Sequence, residues 1–383
     1  MLARLGHEVT LITAFPSYPL GRIYDAYRGK LWRRDSVAGV DVLRVWSLAA
    51  PNSGIVHRML SFCTFALAAA VAGLRQGPVD VVIGSVPKPF TEFAAWLVAR
   101  FRKATFVVEL RDLLPDSLLI AGFSKTNLGY RLLDRYYRWL YRRVDIFAVA
   151  SEWMTPQLRA RSGDHIRTVH LPHSVDQATP HKPRAQLRAE LGCEHRFLVT
   201  YAGSFSPYYR VPLIAAAAEL LLQSQPAVSF LFIGTGADFA VVQDRVRLGR
   251  LHNVILLGGI EPQHVTQYLQ ASDLFVRPQF LPDLTDGTKI VEYLAAGKPI
   301  VNVCIHMGAK GQAENYGIGL SVSPESPTEL ADAIAFYANH PEQALLAGAG
   351  SANLVRGRLE RGKVVAHFAA KLEAVVAMKR RAP

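Results

Sequence analysis

Cysteine is nearly absent. The chain has three, Cys63, Cys193 and Cys304, too far apart for a CxxC pair, which excludes a disulfide framework and a cysteine zinc site. Long apolar runs are scarce too: the most apolar stretch, MLSFCTFALAAAVAGL at 59–74, is slightly short of the roughly 20 residues that span a bilayer and reads as a buried helix. Met1-Leu2-Ala3-Arg4 runs straight into Gly6-His7-Glu8, so no secretory signal is legible and the chain reads as cytosolic. Acidic residues are the other shortage: 31 Asp and Glu face 43 Lys and Arg, and of the net +12 an excess of +9 lies in 1–176 and +3 in 177–383. A basic first half implies a polyanionic partner surface, or else a merely solvated basic face. With no aromatic-rich RNP run and no helix-turn-helix pattern, the polyanion expected is an anionic membrane, not nucleic acid.

What is present is globular composition, 50% apolar and 19% charged, over 383 residues, enough for two domains. Short β-branched runs alternate with helical patterns, the rhythm of a parallel-sheet α/β protein. EVTLIT, VDVLRVW (40–46), VDVVIGS (79–85), TFVVEL (105–110) and VDIFAVA (144–150) are strands, with helices expected at 58–75, 89–102, 128–143 and, after Ser151 as N-cap, 152–161. A second series has strands at 197–203, 228–234, 253–259, 273–278, 299–304 and 319–324. Helices are expected at 212–223, 238–248, 261–271, 288–297 and 327–339, with a terminal pair over 341–378. The expected organisation is two doubly wound, Rossmann-like domains facing across a cleft, at 1–176 and 191–360. The polar segment QATPHKPR begins a linker over 177–190, and a terminal helix at 361–383 can return to the first domain. On the third helix Arg131, Arg135, Arg138 and Arg142 form one stripe opposite Leu133, Tyr136, Leu140 and Val144. Trp139 and Tyr141 are expected to flank the cations, a combination suited to lipid headgroups or to plain solvation.

The strongest local signal is DGTKIVEYLAAGKPIV at 286–301. Gly287 and Thr288 open a helix whose free N–H groups and positive dipole end favour a phosphate, Lys289 adds a full charge, and Glu292 lies one turn on, placed to accept from a ribose diol. The same residues also fit a simply capped helix. Asp112 follows the strand TFVVEL and is a candidate to orient or deprotonate an acceptor hydroxyl, or to cap local backbone. Glu109 and Arg111 share a strand face, Ser85 ends the preceding strand, and Asp116 reads as a helix cap.

These segments, in order, resemble the family 4 (group 1) retaining glycosyltransferases. EYLAAGKPIV is similar to that family's donor-binding helix and GHEVTLIT (6–13) to its second strand. FPSYPLGRIY (15–24) and ELRDLLPDS (109–117) resemble the WbuB-like bacterial subgroup, and LPHSVD (171–176) the strand-ending turn usually written with Asn-Gly in place of His173-Ser174. YAG (201–203) and IGTG (233–236) fall where the family opens its second domain and places its nucleotide loop. The resemblance implies a GT-B fold and transfer of a hexosyl or N-acetylhexosaminyl group from a nucleoside-diphosphate sugar to a polysaccharide or lipid-linked acceptor, such as an O-antigen or capsule. No cofactor and no obligatory metal are implied, and the enzyme is expected as a peripheral protein on the inner face of the membrane.

By the same resemblance Asp112 and Lys289 are catalytic. Gly203, Arg210, Gly234, Gly236, Gly287, Thr288, Lys289 and Glu292 bind the donor, and Ser85, Arg111 and Asp112 lie on the acceptor side. Arg277 is a further donor-site candidate that reads more readily as a surface residue. The family's second glutamate, eight positions before Glu292, is Leu284 here, with Asp283 or Asp286 nearby to compensate. The family's first strand, its glycine-rich loop and most of its first helix, about 20–30 residues, precede the point where this chain begins, so Met1 is expected to be internal to a longer reading frame. A non-catalytic sugar-nucleotide or partner-binding homologue and a sugar-nucleotide epimerase are the competing expectations.

Overall fold

The computed structural model describes residues 1–381 apart from 18–20, 50–54, 87, 117–123, 177–181, 281–282, 284–286, 307 and 309. Residues 177–181 of the expected linker, Leu284 and Asp286 therefore lie outside the described residues, and the linker's second half is instead a short helix, Arg184–Glu190, that buries Leu187. The chain forms two units, residues 1–172 with 364–383, and residues 173–363.

In the first unit β1 (Thr10–Ala14) pairs in parallel with β3 (Val40–Val45), and β2 (Trp32–Val37) runs antiparallel to β3. The β2–β3 hairpin turns through Ala38 and Gly39, both at positive φ, the geometry of a two-residue type I′ loop. A second, wholly parallel sheet has the order β4 (Val81–Ser85), β5 (Thr105–Leu110), β6 (Ile146–Val149), β7 (Thr168–His170). The sheet of this unit is thus in two pieces, β1 and β4 each having one edge without a strand partner among the described residues. Alternation along β5 and β6 sends Phe106, Val108, Phe147 and Val149 to one core and Val107, Ile146 and Ala148 to the other. The first core is covered by α2 (Thr91–Arg102) and α3 (Leu128–Tyr141), the second by Phe368, Leu372 and Val375 of the C-terminal helix (Arg361–Arg381).

Helix α1 (Ile55–Leu74) corrects the expectation of a buried helix, since only 22% of its apolar stretch Val56–Leu74 is buried, although by length and composition alone that stretch is long and apolar enough to cross a membrane. Its inward face is alanine and glycine: Ala66 and Ala70 pack with Ala94 of α2, and Gly73 lies where a Cβ would come within 2.7 Å of Val98. Phe65 packs partly against the β3 cluster, and Val56, Leu60, Leu67 and Val71 are left outside. Two further expectations fail in this unit. Tyr141 is fully buried and so does not flank the arginines, whereas Trp139, half-buried and edge-on to Trp96 at 5.0 Å, carries the Arg143 guanidinium 4.1 Å from its ring centroid. Ser151 does not cap the next helix, α4 (Met154–Ser162), which begins after Trp153 with no side-chain cap.

Glu92 enters α2 fully buried among the tyrosines of α3. Tyr137 donates to its Oε1 at 2.9 Å, and its Oε2 has no partner among the described residues. Burial pushes its carboxyl up to about 7. The unfolded chain releases that proton near 4.5 and the folded chain near 7, so stability falls as pH rises through this window, by about 3 kcal/mol in all. Urea unfolding at pH 5 and pH 8 should show this loss in the wild type and not in Glu92→Gln; equal slopes with pH in the two proteins would refute the assignment.

The second unit is one parallel sheet in the order β10 (Val254–Gly258), β9 (Val228–Ile233), β8 (Phe197–Ala202), β11 (Leu274–Gln279), β12 (Ile300–Cys304), β13 (Gly319–Val322). Its first strand is central and the winding reverses between β8 and β11, where open α/β sheets bind ligands beyond the carboxyl ends of their strands. Buried faces of β8, β9 and β11 pack on α5 (Val211–Ser224) and on a helix at Pro327–Asn339 on one side. On the other they pack on α6 (Pro262–Ala271) and α7 (Thr288–Ala295).

Candidate active site

At this switch point lies a cavity of about 310 Å³, lined by the end of β8 (Tyr201 to Ser204), by Arg277 on β11, by Tyr209 and Phe280, and by Gly287 to Ile290 at the start of α7. The helix is held in place from below. Tyr293, one turn in, stacks on Phe275 with centroids 4.3 Å apart, and its hydroxyl accepts from the Ala202 N–H at 2.7 Å and donates to the Ala202 carbonyl at 3.1 Å. Burial raises the Tyr293 hydroxyl well above the usual phenol range, so it stays a neutral bridge between α7 and β8. Gly287 sits at φ +105 and gives α7 no side-chain cap. The first N–H groups of the helix and its positive dipole end therefore open toward the cavity, the arrangement that takes an anion.

Two cations stand by. Lys289 pairs with Glu292 at 2.7 Å, one turn along the helix. Arg277 is 8% exposed, and its guanidinium donates to the amide oxygens of Gln279 at 2.8 Å and Asn302 at 3.4 Å. Its burial corrects the reading of Arg277 as a surface residue. The signal was in the sequence as an arginine inside the otherwise apolar strand run DLFVRP, yet charge alone does not say which way a strand residue faces. Tyr209 and Phe280, edge to face at 5.3 Å, form an aromatic wall that no motif announced.

Of the expected donor residues, Gly203, Gly287, Thr288 and Lys289 line the cavity, and Glu292 adjoins it through Lys289. Arg210 does not line it. At left-handed φ +46 between a short turn and α5, it directs its guanidinium to Glu325 and to the Pro324 carbonyl. Gly234 and Gly236 are also absent from the lining, and Asp283 likewise. The two glycines allow the loop after β9 to pass over the segment after β8: a Cβ on Gly234 would fall 1.8 Å from the Gly203 oxygen, and one on Gly236 2.6 Å from the Phe205 oxygen.

On the first unit, parallel register places Ser85 opposite Glu109 at the carboxyl ends of β4 and β5. Ser85 Oγ donates to one Glu109 carboxylate oxygen and Arg111 Nε to the other at 3.1 Å, so Glu109 is fixed between a hydroxyl and a guanidinium. Arg111 and Asp112 are exposed just beyond. Asp116 accepts from Tyr130 at 2.7 Å and pairs with the buried Arg161 at 3.0 Å, while the segment it was expected to cap lies outside the described residues. Among the described residues no group of three or more His, Cys, Asp or Glu side chains is placed to hold a metal ion.

Comparison with known proteins agrees with this architecture. Among curated proteins the chain is 24% identical over 343 residues, 86% of its length and 84% of the relative's, to the putative colanic acid biosynthesis glycosyl transferase WcaI of Escherichia coli K12. Among solved structures it resembles sucrose-phosphate synthase from Thermosynechococcus elongatus with a TM-score of 0.75 at 16% identity, covering 98% of this chain and 91% of that one. It also resembles Anabaena HepE, solved with UDP and glucose, with a TM-score of 0.68 at 16% identity, covering 96% and 100%. The shared fold is GT-B. Residues 1–173 match the family model described as glycosyl transferase 4-like domain, and residues 183–347 the one described as glycosyl transferases group 1. Each match spans just under half of the chain, and in this order the two leave only 174–182 and 348–383 outside them, so the chain is similar to glycosyl transferase domains along both of its units.

Proposed function

We propose that the chain transfers a hexosyl or N-acetylhexosaminyl group from a UDP-sugar to a polysaccharide or lipid-linked acceptor, with retention at the anomeric carbon, at the inner face of a membrane. The observation that carries the donor half is the cavity at the β8–β11 switch point, where the α7 N-terminus, Lys289 and Arg277 converge. A nucleoside diphosphate brings two phosphates, which suit a helix N-terminus and two cations, and it leaves with additional negative charge that the same groups stabilise. Glu292 then accepts from the ribose diol, and Tyr209 with Phe280 offers a flat apolar surface to base or sugar. HepE, whose structures hold UDP and UDP-glucose, supports the choice of nucleotide. WcaI, named for colanic acid biosynthesis, supports a polysaccharide product.

On the acceptor side Ser85, Glu109 and Arg111 form a polar rim beside Asp112, which is the candidate to orient the attacking hydroxyl. A panel of UDP- and GDP-sugars with a crude lipid extract tests the whole reading: transfer or slow donor hydrolysis is expected with a UDP-sugar. UDP binding with neither reaction would instead favour a non-catalytic sugar-nucleotide binder. Glu292→Gln should fold normally and bind UDP about 10–100-fold more weakly, the loss of charge-assisted hydrogen bonds of about 1.5–3 kcal/mol. Calorimetry giving unchanged UDP affinity would remove Glu292 from the site.

A further inference from the structure

Helix α1 turns Val56, Leu60, Cys63, Leu67 and Val71 to solvent at spacings of four, three, four and four, a single stripe about 22 Å long. Leu60 and Leu67 are 49% and 69% exposed. The opposite side of the helix is already in use against α2 and, through Ala72, against Leu43 and Val45 of β3. Beyond α2 the aromatic cluster Phe93, Trp96 and Trp139 joins α3, so the three helices form one layer, and α3 adds exposed Leu128 and Leu132.

The outward charge of this layer has one sign. Arg58, Arg75, Arg100 and Lys103 are exposed on and just after α1 and α2, as are Arg131, Arg135, Arg138 and Arg142 on and just after α3. The three helices contain two acids. Glu92 is fully buried, and Asp134 is held by Arg138 and Arg161. We propose that this layer seats the protein on an anionic phospholipid bilayer: α1 lies in the membrane plane with its stripe among the upper acyl chains, and the arginines meet headgroup phosphates.

An apolar stripe without charge complement would fit a second copy equally well, but face-to-face pairing of two such layers brings two cationic surfaces together. Nor does α1 span the bilayer, because its small-residue side is packed against α2 and β3. The inference deepens the membrane part of the proposed function and rests on that part; the donor cavity does not enter it.

Flotation of the full chain with phosphatidylcholine vesicles, and with vesicles carrying 30% phosphatidylglycerol, is the test. Binding is expected to the anionic vesicles. Leu60→Gln/Leu67→Gln should weaken it at least about tenfold, and replacing Arg131, Arg135, Arg138 and Arg142 by Gln should weaken it and flatten its salt dependence. An environment-sensitive fluorophore on Cys63, in a Cys304→Ser background, should shift to the blue on those vesicles. UDP affinity, read separately by calorimetry, should be unchanged in every variant; its absence would defeat the donor reading and leave the vesicle result standing. Equal vesicle binding by wild type and the double leucine variant would overturn the inference. So would a dimer that the leucine changes dissolve, with no vesicle binding.

Discussion

Lys289→Ala should lower turnover by about 10²–10³-fold while changing donor affinity only a few-fold. In the proposed donor site the ground-state diphosphate would already have the α7 N–H groups and Arg277 to hold it, so one more cation adds little to binding. Charge on the leaving diphosphate grows as the glycosidic bond breaks, and a cation at the helix start gains most at that moment. Lys289 can act there without giving up Glu292, since an ammonium has three donors and the present contact uses one of them at 2.7 Å. Single-turnover rates and UDP-sugar affinity, measured together on the purified variant, separate the two effects. Equal losses in both would mean that Lys289 binds ground state and transition state alike, and that the transition-state charge is met by Arg277 and the helix end.

The second unit was legible almost strand for strand because its inner strands β8, β9, β11 and β12 are buried on both faces, and such strands read as continuous apolar runs bounded by turn residues. β2 carried no such mark. Its residues WRRDSV lie on an edge and are mostly exposed on both faces, so neither alternation nor an apolar run betrays it. α1 failed for the opposite reason: nearly every residue is apolar, and periodicity cannot tell which face of a uniformly apolar helix has a partner. At the site, the segment 287–292 was legible through local chemistry, a glycine opening a helix followed by a lysine. Tyr209 and Phe280 were not, because only the β8–β11 crossing brings them to that helix, and Arg277 was legible as a donor-site candidate but not as a buried one. Arg210 illustrates the converse, a cation at the expected place in sequence that a left-handed backbone and Glu325 direct elsewhere.

Gly234→Ala should destabilise the second unit by about 4 kcal/mol, at the upper end of single substitutions. The added Cβ would lie 1.8 Å from the Gly203 oxygen and 2.9 Å from its carbonyl carbon, and the residue sits at φ +137, which side chains rarely adopt. Neither segment is free to yield. The Gly234 N–H donates to the Gly258 carbonyl at 2.7 Å and the Gly203 N–H to the Ile233 carbonyl at 2.9 Å, so relief of the overlap breaks ladder bonds on one side or the other. Gly192→Ala is the control: it also has positive φ, +64, but nothing lies within 4 Å of its Cβ, and it should cost only about 1 kcal/mol. Because Gly203 lines the cavity, the folded fraction of Gly234→Ala should also bind UDP more weakly, whereas Gly192→Ala should not. Urea unfolding that places Gly234→Ala within about 1 kcal/mol of Gly192→Ala would show that the loop after β9 can lift from Gly203, and the close approach would then no longer explain why glycine stands at 234.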